Sequence, residues 1–217
     1  MNFELIPNRV KEGFKTLMQP LVAFLARHHM NPNFFTTLSL VICAVSGIAF
    51  ANGHYRAAGL ILLIGSFFDM IDGAVARTSN RVTRFGALYD STLDRYAELI
   101  VFFGIGYHFI VRHAQGFEYG LLVSMAVFFA VAGSVMVSYV RARAEGLGFE
   151  CKVGLMQRPE RIVLISLAAL ISEMFLIIAV LIVAVLANFT AFQRIYHIYV
   201  TENAGKWKKL PSDVDHE

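Results

Sequence analysis

Four aspartates stand at helical spacing and could do chemistry as a group. Asp69 and Asp72 are three residues apart, and Asp90 and Asp94 are four residues apart. On α-helices each spacing places both carboxylates on one face, and the short connection makes the two helices antiparallel neighbours. The spacing therefore predicts that four acidic groups converge on one point.

Such a cluster calls for a cation, because clustered carboxylates repel one another unless they are protonated or neutralised. Oxygen ligands suit Mg²⁺ or Mn²⁺, and zinc fits less well because no His or Cys stands nearby at ligand spacing. Small residues flank the acids, namely Gly73, Ala76 and Gly86. Arg77 shares a helix face with Gly73, so its guanidinium can reach a phosphate that lies over the glycine.

The elements that carry these acids belong to a membrane protein. Of the 217 residues 57% are hydrophobic and only 16% are charged, with a mean hydropathy of +0.58, which excludes an ordinary soluble domain. A bilayer core needs about 20 mostly apolar residues per helix. Six segments are predicted to cross, the fifth of them short: Asn33–Ala51, Arg56–Arg77, Phe85–Val111, Tyr119–Arg143, Glu160–Ile171 and Met174–Val200. The predicted fold class is all-α, a polytopic membrane protein with six transmembrane helices.

The segment before the first span is amphipathic. Apolar residues alternate with basic ones over residues 3–28, which predicts a helix lying in the membrane interface, with a helix docked on the bundle as the alternative. Most of the 19 basic residues fall on the N-terminal side of the bundle. The positive-inside rule then places both termini and the acidic cluster on the cytoplasmic side of the inner membrane. We expect a juxtamembrane segment at 1–32, a six-helix domain at 33–200 and a polar tail at 201–217.

Other features exclude some functions. A net charge of +3 is too small to predict nucleic-acid binding. Cys43 lies in an apolar run and Cys151 in a basic loop, so neither a disulfide framework nor a cysteine metal site is predicted. Glu98 extends the stripe of Asp90 and Asp94 by four more residues. It is a candidate partner for an arginine and is assigned no catalytic role.

The acidic region resembles the signature of the CDP-alcohol phosphatidyltransferase family, and every fixed position is filled. The matching residues are Asp69, Asp72, Gly73, Ala76, Arg77, Gly86, Asp90 and Asp94. The resemblance implies that Asp69, Asp72 and Asp90 hold two divalent cations, Mg²⁺ or Mn²⁺. It implies that Asp94 is the catalytic base and a partial metal ligand.

The same resemblance implies a donor, CDP-diacylglycerol, whose acyl chains stay in the bilayer. Metals on its pyrophosphate would neutralise the departing CMP while Asp94 takes the proton of an incoming hydroxyl. Asn33 and Thr36 match the family's motif before the first span and are expected to help hold the cytidine. The full predicted donor set is Asn33, Thr36, Asp69, Gly73, Ala76, Arg77, Thr83 and Gly86.

Arginines concentrate between the fourth and fifth predicted spans, and their planar forks suit a phosphate dianion. An acceptor that carries phosphate is therefore favoured over neutral inositol, serine or a long-chain alcohol. The segments resemble those of bacterial phosphatidylinositol-phosphate synthases, although that family commonly has Lys at the position of Arg141. The resemblance implies an acceptor-phosphate pocket made of Ser138, Arg141, Arg158, Arg161 and Arg194.

The predicted function is metal-dependent transfer of a phosphatidyl group from CDP-diacylglycerol to a phosphorylated polyol, with inositol phosphate favoured. Phosphatidylglycerophosphate synthesis and phosphoinositol transfer from CDP-inositol stay open as enzymatic alternatives. A cation transporter is the non-enzymatic alternative, because intramembrane carboxylates also mark ion pathways. Against it, the four acids lie near one membrane face. The resemblance further implies a homodimer among membrane lipids.

Overall fold

The computed structural model describes residues 18–25, 27, 31–79 and 81–207, with side chains as far as 203, and this part of the chain contains helices and no strand. The all-α prediction is confirmed. After a helical segment at 18–25, the helices are α1 Pro32–Ala51, α2 Tyr55–Thr78, α3 Arg84–Ala114, α4 Gly120–Gly146, α5 Arg158–Ile171 and α6 Glu173–Trp207. Each predicted span coincides with one helix to within a few residues, except that α6 continues beyond Val200 to Trp207.

Four of the described helices are long and apolar enough to cross a membrane: α1, α2, α4 and α6 over Glu173–Asn203. The chain is therefore a multi-pass membrane protein. α3 has 31 residues but carries the charged side chains of the site in its first half. α5 has 14 residues, which rise about 21 Å, less than the roughly 30 Å of a bilayer core. The predicted count of six spans is not confirmed by length and composition.

Two helices beside the acids begin at side-chain caps. Asn31 caps α1 by accepting a hydrogen bond from the Asn33 N–H at 3.1 Å, with Pro32 at the first helical position. Thr83 caps α3 by accepting from the Gly86 N–H at 2.9 Å. These caps determine where α1 and α3 begin relative to the acidic residues.

Close backbone contacts hold α1 against α2 and α3. A Cβ added to Gly104 would lie 2.1 Å from the carbonyl oxygen of Gly47, so α1 and α3 meet backbone to backbone there. Ser39 Oγ donates to the carbonyl oxygen of Gly65 at 2.9 Å and ties α1 to α2. Small residues and hydroxyls at such contacts are typical of helix packing in membranes. The two acid-bearing helices α2 and α3 were expected to be direct neighbours, but both pack on α1 and have few backbone contacts with each other, so α1 sets the distance between their acidic segments.

The described N-terminal segment packs on the bundle. Val22 is buried with Phe35 of α1 and with Ile71 and Val75 of α2. This contact agrees with the docked alternative for residues 18–25. The rest of the predicted amphipathic helix, residues 1–17, lies outside the described residues, as does the tail from 208 onward.

Candidate active site

Asp69, Asp72 and Asp90 form the centre of the site. Each offers one carboxylate oxygen, and these three atoms all lie within 4.8 Å of one another. Asp72 is 4% exposed, and its Oδ2 is buried with no hydrogen-bond partner among the described residues. A buried, unpaired acidic oxygen is costly, and the donor set of three carboxylates fits a hard divalent cation.

The fourth aspartate lies one turn further along α3 and is not part of that group. Asp94 Oδ2 is 2.8 Å from Nη1 of Arg158, and the same nitrogen donates to Asp69 Oδ2 at 2.7 Å. The structure thus groups three of the four aspartates around one point and leaves Asp94 beside Asp69, since both contact the same Arg158 nitrogen. It places the fourth against an arginine of α5, where Asp94 and Arg158 are 15% and 19% exposed.

A cavity of about 250 Å³ adjoins Asp72 and Asp90. Its lining contains seven of the eight residues predicted to bind the donor: Asn33, Thr36, Gly73, Ala76, Arg77, Thr83 and Gly86. The eighth, Asp69, lines a neighbouring cavity of about 690 Å³ that shares Asp72 and Asp90 with the first. The two cavities therefore meet at the carboxylates.

Small residues keep the first cavity open. A Cβ on Gly73 would lie 3.2 Å from Nη1 of Arg77, so this arginine does lie over the glycine. A Cβ on Gly86 would lie 2.9 Å from Thr83 Oγ1 and 3.5 Å from Asn33 Oδ1. A side chain at either glycine would occupy space next to the groups that surround the cavity.

The N-terminal segment contributes to the second cavity, which the sequence analysis did not anticipate. Met18, Gln19 and Val22 line it together with Asp69 and Asp72. The apolar spacing of Met18 and Val22, four residues apart, was the available signal for one buried helix face. It could not indicate which helix this face meets.

Arg161 lies deeper in the bundle than an open phosphate pocket would place it. It is 1% exposed, and it contacts the carboxylate of Glu98 through Nε at 2.6 Å and Nη2 at 2.9 Å. Its Nη1 donates to the carbonyl oxygen of Met156 at 2.9 Å. Glu98, flagged in the sequence only as a possible partner for an arginine, is that partner.

Two further arginines predicted to bind the acceptor, Arg194 and Arg141, also have protein partners. Arg194 donates to the carbonyl oxygens of Val137 and Val153 at 2.5 and 2.8 Å. Arg141 is paired with Glu145 at 2.8 Å on the exposed end of α4. Arg141 and Arg161 each lie close enough to Arg194 for their charges to act on it. Ser138 lies apart from them in a groove between α3 and α4.

Residues 147–157, here called the strap, connect α4 to α5 and are pinned to α6. The Met156 N–H donates to Thr190 Oγ1 at 3.1 Å. Gly154 has a φ of +143°, and a Cβ there would lie 2.6 Å from Thr190 Cγ2. Cys151 is fully buried, and burial raises the pKa of its thiol, so this residue packs as a small neutral side chain. The strap therefore fixes where α5 begins.

Comparison with known proteins covers most of the chain. A sequence profile of CDP-alcohol phosphatidyltransferases matches residues 29–201. An archaetidylinositol phosphate synthase of Methanothermobacter thermautotrophicus is 39% identical over 192 residues, which are 86% of this chain and 92% of that protein. A phosphatidylinositol phosphate synthase of Mycobacteroides abscessus is 32% identical over 200 residues, which are 89% of each chain.

Solved structures give the same likeness in three dimensions. The crystal structure of Mycobacterium tuberculosis phosphatidylinositol phosphate synthase with CDP-DAG bound has a TM-score of 0.74 and 26% identity, covering 93% of this chain and 98% of that one. The same enzyme in complex with manganese and citrate has a TM-score of 0.74 and 26% identity, covering 91% and 92%.

Proposed function

This chain belongs to the CDP-alcohol phosphatidyltransferase family and is an enzyme, and from that premise we propose that it transfers a phosphatidyl group from CDP-diacylglycerol to inositol phosphate, releasing CMP. One observation carries the proposal. The three clustered carboxylates of Asp69, Asp72 and Asp90 stand where two cavities meet, one of them lined by seven predicted donor residues. The favoured acceptor agrees with the names of the relatives, each a synthase of an inositol phosphate lipid.

The donor is bound by the first cavity in this proposal. Arg77 lies over Gly73 and meets the diphosphate, while Asn33 and Thr36 hold the cytidine at the start of α1. Asp69, Asp72 and Asp90 hold two divalent cations, Mg²⁺ or Mn²⁺. When bound, these ions supply positive charge to the transferred phosphoryl group and to departing CMP.

Asp94 is the base in the proposed reaction. It takes the proton of the acceptor hydroxyl, whose oxygen bonds to the phosphorus that carries diacylglycerol. The bond from that phosphorus to the oxygen of CMP breaks, and CMP leaves. Arg158 holds the Asp94 carboxylate at 2.8 Å through the same nitrogen that contacts Asp69, which keeps Asp94 beside the metal-binding cluster.

The acceptor phosphate binds on the α4–α6 side, where positive charge gathers. Arg158 contacts Asp69 and Asp94, and its Nε has no hydrogen-bond partner among the described residues. Arg141 and Arg161 add positive charge near Arg194 on the same side. Ser138 and Arg161 also belong to the proposed acceptor region. Arg161 is paired with Glu98, so its role there is indirect.

The membrane arrangement is also part of the proposal. The match between the predicted spans and helices α1–α6 supports six spans, and the charge distribution supports both termini and the active site on the cytoplasmic side of the inner membrane. The interfacial N-terminal helix rests on the amphipathic sequence pattern alone, since residues 18–25 pack on the bundle. A homodimer rests on the family resemblance. The domain division at 1–32, 33–200 and 201–217 is kept, although α6 continues to Trp207.

The experiment is CMP release from CDP-diacylglycerol by purified protein with Mg²⁺ or Mn²⁺. Inositol phosphate, glycerol phosphate and free inositol are compared as acceptors, with chelated metal and no acceptor as controls. Of the three acceptors, we expect only inositol phosphate to give metal-dependent CMP release. CMP release with glycerol phosphate instead would identify glycerol phosphate as the acceptor. No acceptor-dependent release, together with cation flux in liposomes, would refute the transferase.

A further inference from the structure

Two acid–arginine contacts join α3 to α5, and they lie one helical turn apart. Asp94 meets Arg158 at 2.8 Å, and Glu98 meets Arg161 at 2.6 and 2.9 Å. Asp94 and Glu98 are four residues apart, and Arg158 and Arg161 are three apart, so each pair of like residues shares a helix face. The two contacts are therefore one helical turn apart along both α3 and α5.

The two contacts differ in burial. The Asp94–Arg158 contact borders the carboxylate cluster, whereas Glu98 and Arg161 are 8% and 1% exposed. The Glu98–Arg161 pair borders a cavity of about 20 Å³ whose walls are mainly apolar. The apolar residues are Cys43, Leu62, Ala97, Val101, Phe102, Ile162 and Ile165. A two-pronged ion pair in such surroundings has one favourable geometry, since every other arrangement leaves a charge buried and unpaired.

This geometry bears directly on the first turn of α5. Arg161 also donates to the carbonyl oxygen of Met156, so one guanidinium ties that turn to the strap and to α3 together. Arg158 is the first residue of α5 and belongs to the same turn. Its contact with Asp94 and Asp69 therefore depends on how Arg161 is held.

We propose that Glu98 is a positioning residue, which holds Arg161 and thereby places Arg158 for the acceptor phosphate and for Asp94. The role rests on the proposed function. Glu98 lines neither of the two cavities that meet at the carboxylates, so it acts through other residues and not by contact with the substrates. Without its charge, the buried Arg161 has Asp94 as its next acid along α3, and it would compete with Arg158 there.

The test uses purified full-length protein and steady-state kinetics with each substrate varied in turn. Glu98→Gln should raise the KM for inositol phosphate by about tenfold or more and lower kcat, with the KM for CDP-diacylglycerol unchanged within about twofold. Mn²⁺ binding measured by calorimetry should stay the same. Glu98→Asp keeps the charge but is one methylene shorter, so it should raise the acceptor KM selectively and by less than Glu98→Gln does.

Glu173→Gln is the matched control. Glu173 makes another acid contact between helices, 3.5 Å from His108 and 3.9 Å from Arg112, at the opposite end of α3. It should leave both KM values unchanged.

Equal changes in both KM values for Glu98→Gln, or an acceptor KM that does not move, would overturn the positioning role. If Glu98→Gln does not fold, Glu98→Asp decides: an acceptor KM raised selectively supports the proposal, and unchanged kinetics refute it. The wild type separates the two claims, because absent acceptor-dependent CMP release refutes the proposed function itself, and this role with it.

Discussion

The two sides of the carboxylate cluster are built differently. On the side of α1, α2 and α3 the cavity is formed by caps and small residues, and the Asp72 Oδ2 has no hydrogen-bond partner among the described residues. On the side of α4, α5 and α6 the arginines already have partners: Asp94 for Arg158, Glu98 for Arg161 and backbone carbonyls for Arg194. The first side leaves room for a ligand, and the second holds its charges in place.

This difference has consequences for binding. A nucleotide and cations entering the first cavity meet unpaired acidic oxygen and open space. An acceptor phosphate on the second side must share Arg158 with carboxylates of the protein. Acceptor binding should therefore depend on how the arginines are held, whereas donor binding should depend on the space beside Gly73 and Gly86.

The largest effect is expected from the carboxylate cluster itself. Asp90→Asn should weaken Mn²⁺ binding and lower CMP release by about 10³-fold or more, because metal ions supply several kcal/mol of charge stabilisation. Calorimetry with Mn²⁺ and a CMP release assay check the two effects. Glu118→Gln, an exposed acid in the turn after α3, is the control. Wild-type Mn²⁺ affinity in Asp90→Asn would mean that the cluster is not the metal site.

Asp94→Asn separates the base from the cluster. Because Asp94 lies outside the group of three acids, metal and donor binding should persist while turnover falls by at least about 10²-fold. Calorimetry and kcat at saturating metal are the measurements. Near-normal turnover would rule out the assignment of Asp94 as base.

Arg158 and Arg77 lie on different sides of the carboxylate cluster, so their replacement should affect different substrates. Arg158→Ala should raise the KM for inositol phosphate by roughly 10- to 150-fold, the equivalent of about 1.5–3 kcal/mol for a lost charge-assisted contact. Arg77→Ala should raise the KM for CDP-diacylglycerol instead, because Arg77 lies over Gly73. The kinetics of both variants are measured with each substrate varied. If both variants affect the same substrate, the division into two sides is wrong.

The smallest effect concerns space in the donor cavity. Gly86→Ala places a methyl group 2.9 Å from Thr83 Oγ1 and should raise the KM for CDP-diacylglycerol by about fivefold or more, since overpacking costs about 1–3 kcal/mol. Gly146→Ala is the control, because a Cβ there meets nothing within 4 Å. An effect of equal size in both variants would point to helix stability as the cause.

The sequence by itself determined the parts that depend on local spacing. Apolar runs bounded by caps predicted where the helices lie, and the i, i+3 and i, i+4 spacings predicted which acids share a face. Arg77 over Gly73 was predictable for the same reason, because four residues on a helix form one turn and no distant contact is involved.

Only the tertiary structure decided the long-range partners. Arg158 reaches Asp69 across 89 positions, and Arg161 reaches Glu98 across 63. The sequence held four arginines predicted to bind the acceptor phosphate, yet it could not show that Arg158 and Arg161 are used by acids on other helices of the same chain. Helix periodicity fixes the direction of a side chain on its own helix, whereas the neighbour it meets depends on how α5 packs against α2 and α6 and on how the strap is held to α6. That packing is set by contacts such as Met156 with Thr190, which no local pattern encodes.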